Sequence, residues 1–251
     1  MEGPTEEKLT GKRRLFLEWM PEQVDSLLDI GCAFSHMLNF LGQRARHRFG
    51  VEYDLAKLRE AAARFKQEHF VCASGEALPL AGETMDVITF FEVLEHVENE
   101  RRFLEEVHRV LKPGGLILLS VPNKGAVEWL DPDNLIFTPL LALGKRMGLF
   151  RNVSDYYLRH HRHYCLEEFQ VLCGSLFEVE KVYYGGLAAN SLGFIAYKSV
   201  YLALTLAGMN SQRPLFRRME RWMDGITSWD FDRSHGPRSD KLCILARKTG
   251  R

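Results

Sequence analysis

The chain has no excess charge of either sign. Its 33 Lys and Arg balance 33 Asp and Glu, so no global field draws it to nucleic acid. It has no C-x-x-C pair either: Cys32, Cys72, Cys165, Cys173 and Cys243 stand apart and are odd in number. That argues against a disulfide framework or a structural zinc site and for a reducing compartment. No apolar stretch of signal-peptide length opens the chain, since MEGPTEEKLTGKRR is polar and charged, and the cytoplasm is the expected compartment. Repeats and low-complexity tracts are missing as well. What remains, 251 residues with 46% hydrophobic and 26% charged content, is an ordinary folded protein with room for one sizeable domain.

Apolar, strand-like runs recur along it: SLLDI, RFGVEY, HFVCAS, MDVITFF and LILLSV, then FEVEKVYYG and KLCILARK after position 165. Between the first five lie AKLREAAARFKQE, rich in helix formers, and ENERRFLEEVHRVLK, whose Phe103, Val107, Val110 and Leu111 form an apolar stripe at helical spacing. CLEEFQVLCGSL reads as a further helix. Strands alternating with helices predict a parallel sheet covered on both faces. Lys112-Pro113-Gly114-Gly115 reads as a stop and turn between a helix and the next strand.

Glycine is scarce where it matters most. SLLDIGCAFSHMLNFLG looks like a strand, a turn and a helix, the arrangement that aims backbone N–H groups at a ligand. Yet it keeps only Gly31; a dinucleotide fingerprint counted from there would need glycine at Ala33 and His36, so NAD is a poor reading. About twenty residues on, Glu52 closes the second strand, where a carboxylate can accept bonds from ribose hydroxyls or simply be solvated.

The series DIGCAFS, GVEYD, ASGEALPL, MDVITFFEVLEHV and RVLKPGGLILLSVPN, from about residue 24 to 123, resembles the class I S-adenosylmethionine-dependent methyltransferases, and looks closest to the small-molecule and ubiquinone-type O-methyltransferase branch. The resemblance implies a Rossmann-like α/β fold: a seven-stranded, mostly parallel sheet with helices on both faces and two cap insertions. It implies one domain over 1–251, with a core of about 24–123, 165–184 and 240–248 and insertions at 124–164 and 185–239. It places Asp29, Gly31, Cys32, Ala33 and Ser35 at the amino-acid end of the cofactor and Glu52 with Tyr53 at the ribose. Ser74, Gly75 and Glu76 would lie by the adenine, and Phe91 beside the cofactor at the end of the fourth strand. Two departures stand out: the family turn usually reads D-x-G-C-G-x-G, where this chain has Ala33 and Ser35, and Ser74 stands where Asp is common.

For a hydroxyl nucleophile, a general base or a divalent metal would lower the barrier to transfer. On a helical turn Glu92, Glu95 and His96 share a face. The ubiquinone and small-RNA terminal 2′-O-methyltransferases resemble this E-x-x-E-H pattern, and His163 could complete a set for Mg²⁺ or a similar ion. Without metal, EVLEHV is a helix start that packs locally, and His96, His160, His161 and His163 are the candidate bases. Asp131 and Asp133 read as turn formers.

The insertions leave the carboxyl ends of strands, the side on which open parallel sheets bind ligands. They are expected to cap the site and set substrate choice. LIFTPLLALGKRMGLF and LAANSLGFIAYKSVYLALTLAGM are strongly apolar, the latter interrupted by Ser191, Lys198 and Thr205 at seven-residue spacing, which argues against a clean membrane span. A buried lid, a membrane-docking face helped by Lys145, Arg146, Arg213, Arg217 and Arg218, and a dimer interface all fit. The expected acceptor is a small hydrophobic or lipid-linked hydroxyl compound, bound by a monomer or homodimer with peripheral membrane contact and no DNA partner. RNA 2′-O-methylation and a non-catalytic partner protein are the alternatives.

Overall fold

A computed structural model describes residues 10–126, 128–131, 133–148, 161–187 and 214–250, with positions 193, 195, 196 and 200 between the last two segments. All seven expected strands form. They are β1 (Val24–Ile30), β2 (Ala45–Glu52), β3 (His69–Cys72), β4 (Met85–Phe91), β5 (Leu111–Pro122), β6 (Phe177–Gly185) and β7 (Lys241–Lys248). They join one sheet in the order β3-β2-β1-β4-β5-β7-β6. The pairs β1–β2, β1–β4, β2–β3 and β4–β5 run parallel. The chain sorts into two compact units: Leu15–Pro122 with Arg162–Tyr183 and Leu242–Arg251, and Met1–Arg14 with Asn123–His161 and Tyr184–Lys241.

In the first unit the central strands are buried over most of their length. Leu27, Leu28, Ile88, Phe90, Ile117, Leu118 and Leu119 have no exposed surface. Neighbouring strand residues point to opposite faces, so continuous burial means both faces are covered. The helix α4 (Glu100–Val110) supplies the expected stripe: Phe103, Leu104, Val107 and Val110 are all fully buried. Its start is fixed by Asn99, whose side chain accepts the Arg102 N–H at 3.0 Å. Leu111, expected to extend the stripe, instead begins β5.

The KPGG segment is not a spacer. It lies inside β5, where Met85 pairs with Leu111 and Val87 with Leu116, so five residues of β5 pass while β4 advances two. Gly114 takes φ 71°, and a Cβ on Gly115 would stand 2.9 Å from the Asp86 carbonyl oxygen. Two glycines thus permit a bulge rather than a turn. Lys112 Nζ meets Asp86 at 2.8 Å across it.

Three more helices precede or flank this sheet in sequence: α1 (Gly11–Trp19), α2 (His36–Leu41) and α3 (Leu55–Arg64). Asp54 caps α3 by accepting from Ala56 and Lys57 N–H at 2.9 and 3.3 Å. Another helix of this unit, α6 (Leu166–Cys173), is reached through Tyr164. That buried phenol donates to the Leu94 carbonyl at 3.1 Å and to Glu100 at 2.6 Å.

The second unit is more helical than the loop-rich pattern of 124–164 suggests. Within it lie a π-helical turn, Asp133–Phe137, and α5 (Thr138–Arg146). Proline sits in the first turn of α5, and Lys145 and Arg146 close it, both favourable at those ends. Further on, α7 (Pro214–Phe231) runs for 18 residues. Asp232 accepts from the Gly11 N–H and from Arg14, each at 3.0 Å. The run 187–209, with Ser191, Lys198 and Thr205, lies almost wholly outside the described residues, as does Arg213. Among the described residues no helix is long and apolar enough to cross a membrane.

Phe103 ties packing to function, because its ring faces Phe90 edge-on at 5.1 Å and occupies the space beside Gly75. Phe103→Ala should lower stability by about 3–5 kcal/mol. Val171→Ala, on an 81% exposed side chain, should change it by less than about 0.5 kcal/mol. Urea denaturation monitored by far-ultraviolet circular dichroism measures both.

Candidate functional site

Strand order reverses between β1 and β4: β2 and β3 continue one way, β5 the other. Ligands of open α/β sheets bind outside the carboxyl ends of strands at such a switch point. The residues that follow β1, β2, β3 and β4 therefore form the candidate site.

After β1 the chain passes through three left-handed residues in five: Gly31 (φ 72°), Ala33 (φ 46°) and Ser35 (φ 63°). For the two non-glycines this conformation costs about 1–2 kcal/mol each. Gly31 is required twice over, by its φ and by space, since a Cβ there would lie 2.5 Å from Val93 Cγ2. The turn is held against β2: Gly31 and Cys32 N–H donate to the Val51 carbonyl at 2.8 and 3.1 Å. Beneath it Gly50 leaves room for Cys32, whose Sγ would be 2.8 Å from a Cβ at that position. Ala33 N–H donates to Glu52 Oε2 at 2.9 Å, and Asp54 N–H to Glu52 Oε1 at 2.9 Å. Glu52 therefore braces the turn while each oxygen keeps a second lone pair.

Asp29 is buried near the end of β1 and accepts from Thr89 Oγ1 at 2.6 Å. Burial pushes its carboxyl up to about 7; the Thr89 bond opposes this, and the charges of Glu68 and Glu52 reinforce it. The Cys32 thiol is also pushed up, first by burial and then by the charge of Asp29, so it fills space and stays protonated.

Ser35 is fully buried, and its hydroxyl donates to Glu68, itself 7% exposed. Glu68, Gly50 and Thr89 carry no signal in the sequence. Glu68 lies just ahead of β3 and meets Ser35 only because β3 pairs beside β2. Of the other expected residues, Tyr53 is 68% exposed, and Ser74 closes its own turn by accepting the Glu76 N–H at 3.2 Å. Gly75 has no room for a Cβ, which would be 2.5 Å from the Phe103 ring. The Glu76 carboxylate accepts from Asn99 N–H at the start of α4. Phe91 packs on Phe16 with ring centroids 4.4 Å apart.

The expected metal set of Glu92, Glu95, His96 and His163 is not assembled. Among the described residues no three His, Cys, Asp or Glu side chains gather in a group that could hold an ion. Glu92 takes φ 54° instead of continuing a helix, which breaks the i, i+3, i+4 register. Its carboxylate accepts from Ser120 Oγ at 2.7 Å. The helical turn begins only at Leu94, and Glu95 is 1% exposed.

The histidines are dispersed. His96 is half-buried in that short turn. His163 belongs to the sheet-bearing unit, His161 to the other, and His160 lies outside the described residues. His161 has a carboxylate near it: Nδ1 is 3.6 Å from Asp131 Oδ2. Asn134 accepts the His161 N–H at 2.7 Å and donates to its carbonyl at 2.9 Å. Asp131, expected as a turn former, thus also faces an imidazole.

Because the Asp29 carboxyl is raised above its ordinary value, the folded ligand-free protein holds a proton there that the unfolded chain releases. Its contribution favours folding at low pH and is lost as pH rises from about 4 to about 7. Urea titrations of the ligand-free protein from pH 5 to 8 should show wild type losing stability relative to Asp29→Asn, by up to about 1.4 kcal/mol per pH unit. Parallel curves would contradict the buried, protonated carboxyl.

A family model described as a methyltransferase domain matches residues 28–119, from within β1 to near the end of β5. A probable S-adenosylmethionine-dependent methyltransferase of Mycolicibacterium smegmatis is 33% identical over 98 residues, 39% of this chain and 38% of that protein. A malonyl-[acyl-carrier protein] O-methyltransferase of a Marinomonas species is 29% identical over 122 residues, 45% of each. The chain spans less than half the length of these relatives. The crystal structure of YcgJ from Bacillus subtilis is similar with a TM-score of 0.56, covering 95% of this chain and 98% of that one at 16% identity, a likeness of fold. The matched segment, residues 28–119, is the one that builds the switch-point turn and its braces, and over it the chain is similar to S-adenosylmethionine-dependent methyltransferases.

Proposed function

We propose that the protein transfers the methyl group of S-adenosylmethionine to a hydroxyl of a small hydrophobic or lipid-linked acceptor. The observation that carries the cofactor part is the left-handed turn Gly31–Ser35 braced by Glu52 at the switch point. Its chemistry fits the cofactor group by group. The buried Asp29 carboxyl suits an ammonium, the spare lone pairs of Glu52 suit a ribose diol, and Gly31 allows close approach of the methionine end. When bound, the cofactor supplies an activated methyl on a sulfonium, and the protein's task is to orient the acceptor and exclude water.

The acceptor part is supported by side chains of the second unit. Trp129, Leu135, Leu140, Leu143, Met147, Trp222 and Trp229 are all exposed there, more apolar surface than solvent contact alone would favour. A relative whose name is that of an O-methyltransferase points to oxygen as the methylated atom. Among the histidines, His161 is the base candidate with a carboxylate in its own unit, Asp131, to orient it. Nothing in the site favours an RNA acceptor over this reading, since chain charge is balanced and the metal set is not gathered among the described residues. A cofactor-free partner role would rest on Ser35 and Ser74; Ser35 nevertheless keeps the backbone conformation of a glycine.

Titration calorimetry with S-adenosylhomocysteine should show one-to-one binding, weakened about tenfold or more by Glu52→Ala. No heat of binding to the wild-type chain would overturn the cofactor reading. With a phenolic or polyprenyl-phenol acceptor, His161→Ala should lower kcat by about 10²–10⁴-fold without changing cofactor affinity. An unchanged kcat removes His161 as the base. Flotation with liposomes separates a lipid-linked acceptor from a free one.

A further inference from the structure

Serine at a helix start normally sits in the β region and turns its hydroxyl back to cap the first amides. Ser35 does neither. It begins α2 at φ 63°, ψ 20°, and its side chain makes no capping bond. Its backbone is engaged on both sides, N–H to the Cys32 carbonyl at 2.6 Å and carbonyl to the Asn39 N–H at 2.9 Å. The hydroxyl goes instead to Glu68 Oε2, 33 residues along the chain and inside the protein. Glu68 is an odd residue to bury. Its second oxygen, Oε1, is shut off from solvent and has no hydrogen-bond partner among the described residues. A carboxylate so placed disfavours folding unless its bonds compensate, and stability alone would be better served by an apolar residue.

We propose that Glu68 is a positioning residue for the cofactor turn: it clamps Ser35 in the left-handed conformation that a glycine would adopt unaided. The inference rests on the methyltransferase reading for its ligand, but its geometry stands in the ligand-free protein. Ser35 is the third left-handed residue of the turn and the N-cap of α2, so its backbone joins the turn to the helix. A serine there has a Cβ to accommodate and would relax toward ordinary φ values if its hydroxyl were released. The Glu68 bond removes that option. The pair is reciprocal: the hydroxyl answers part of the hydrogen-bonding need of a buried carboxylate, and the carboxylate fixes a backbone that the residue type disfavours.

The test is a double-substitution cycle on the full chain, read by calorimetry with S-adenosylhomocysteine and by amide hydrogen exchange over residues 31–39 of the ligand-free protein. Glu68→Ala should weaken binding about tenfold and speed exchange across the turn. Ser35→Ala, which keeps the Cβ and loses the hydroxyl, should do the same. Glu68→Gln, which keeps an acceptor, should retain most of the affinity. When Glu68→Ala is added to the Ser35→Gly chain, the further loss should be less than about twofold, because glycine needs no clamp. Equal losses in the Ser35 and Ser35→Gly backgrounds would overturn the proposal, as would unchanged exchange in both Glu68→Ala and Ser35→Ala. Should Glu68→Ala not fold, Ser35→Ala and Glu68→Gln decide between the same outcomes. If the wild-type chain binds no S-adenosylhomocysteine, the methyltransferase reading fails, and the exchange measurements still judge the clamp.

Discussion

Everything at the candidate site depends on holding five residues, Gly31 to Ser35, in a path with three left-handed steps. Glycine takes such steps freely; alanine and serine do not. The strain is met from below and beside. Gly50 in β2 gives up its side chain so that Cys32 can lie close, and Val93 fills the place where a Cβ on residue 31 would be. Glu52 takes the Ala33 N–H and Glu68 takes the Ser35 hydroxyl. A turn set in this way ahead of any ligand spares the binding step the entropy of ordering it.

The same braces concentrate negative charge. Asp29 and Glu52 lie at the carboxyl ends of β1 and β2, with Glu68 just ahead of β3, and the charges of Glu68 and Glu52 add to burial in raising the cost of ionising Asp29. A chain with balanced overall charge thus gathers three acids around its switch-point turn. Ionisation of Asp29 there is favoured by a nearby positive charge. Tyr164 performs a comparable structural task elsewhere, tying the approach to α6 to Leu94 and Glu100. That fixes the segment after β4 that flanks the turn.

Much of this is legible in the sequence, and the reasons are physical. Central strands covered on both faces are continuous apolar runs, and all seven strands stand out as apolar segments of the chain. A helix that buries one stripe repeats at 3.6 residues, so α4 stands out too. The departures have two origins. KPGG has the proline and glycines of a turn, but parallel pairing with β4 draws it into β5 as a bulge. EVLEH has the spacing of a helical turn, but Glu92 adopts a left-handed backbone and binds Ser120. The segment 124–164 has the look of a loop, yet α5 forms there around its apolar and C-terminal basic residues. In the first two cases a neighbour distant in sequence overrides local preference; in the third, proline at the helix start and basic residues at its end outweigh it.

The sequence by itself determined the strand set, the order of motifs from DIGCAFS to LKPGG and hence the likeness to a methyltransferase domain over residues 28–119, because these rest on local pattern and spacing. It also singles out Asp29, Gly31 and Glu52, which stand at or just past the ends of strands. Only the tertiary structure decided how a serine can stand where a glycine is expected. The answer lies in Glu68, 33 residues away, buried beneath a turn that no local rule connects to it. Hydrogen bonds between side chains brought together by strand pairing leave no periodic trace in a sequence, and the conformation of Ser35 is held by one of them.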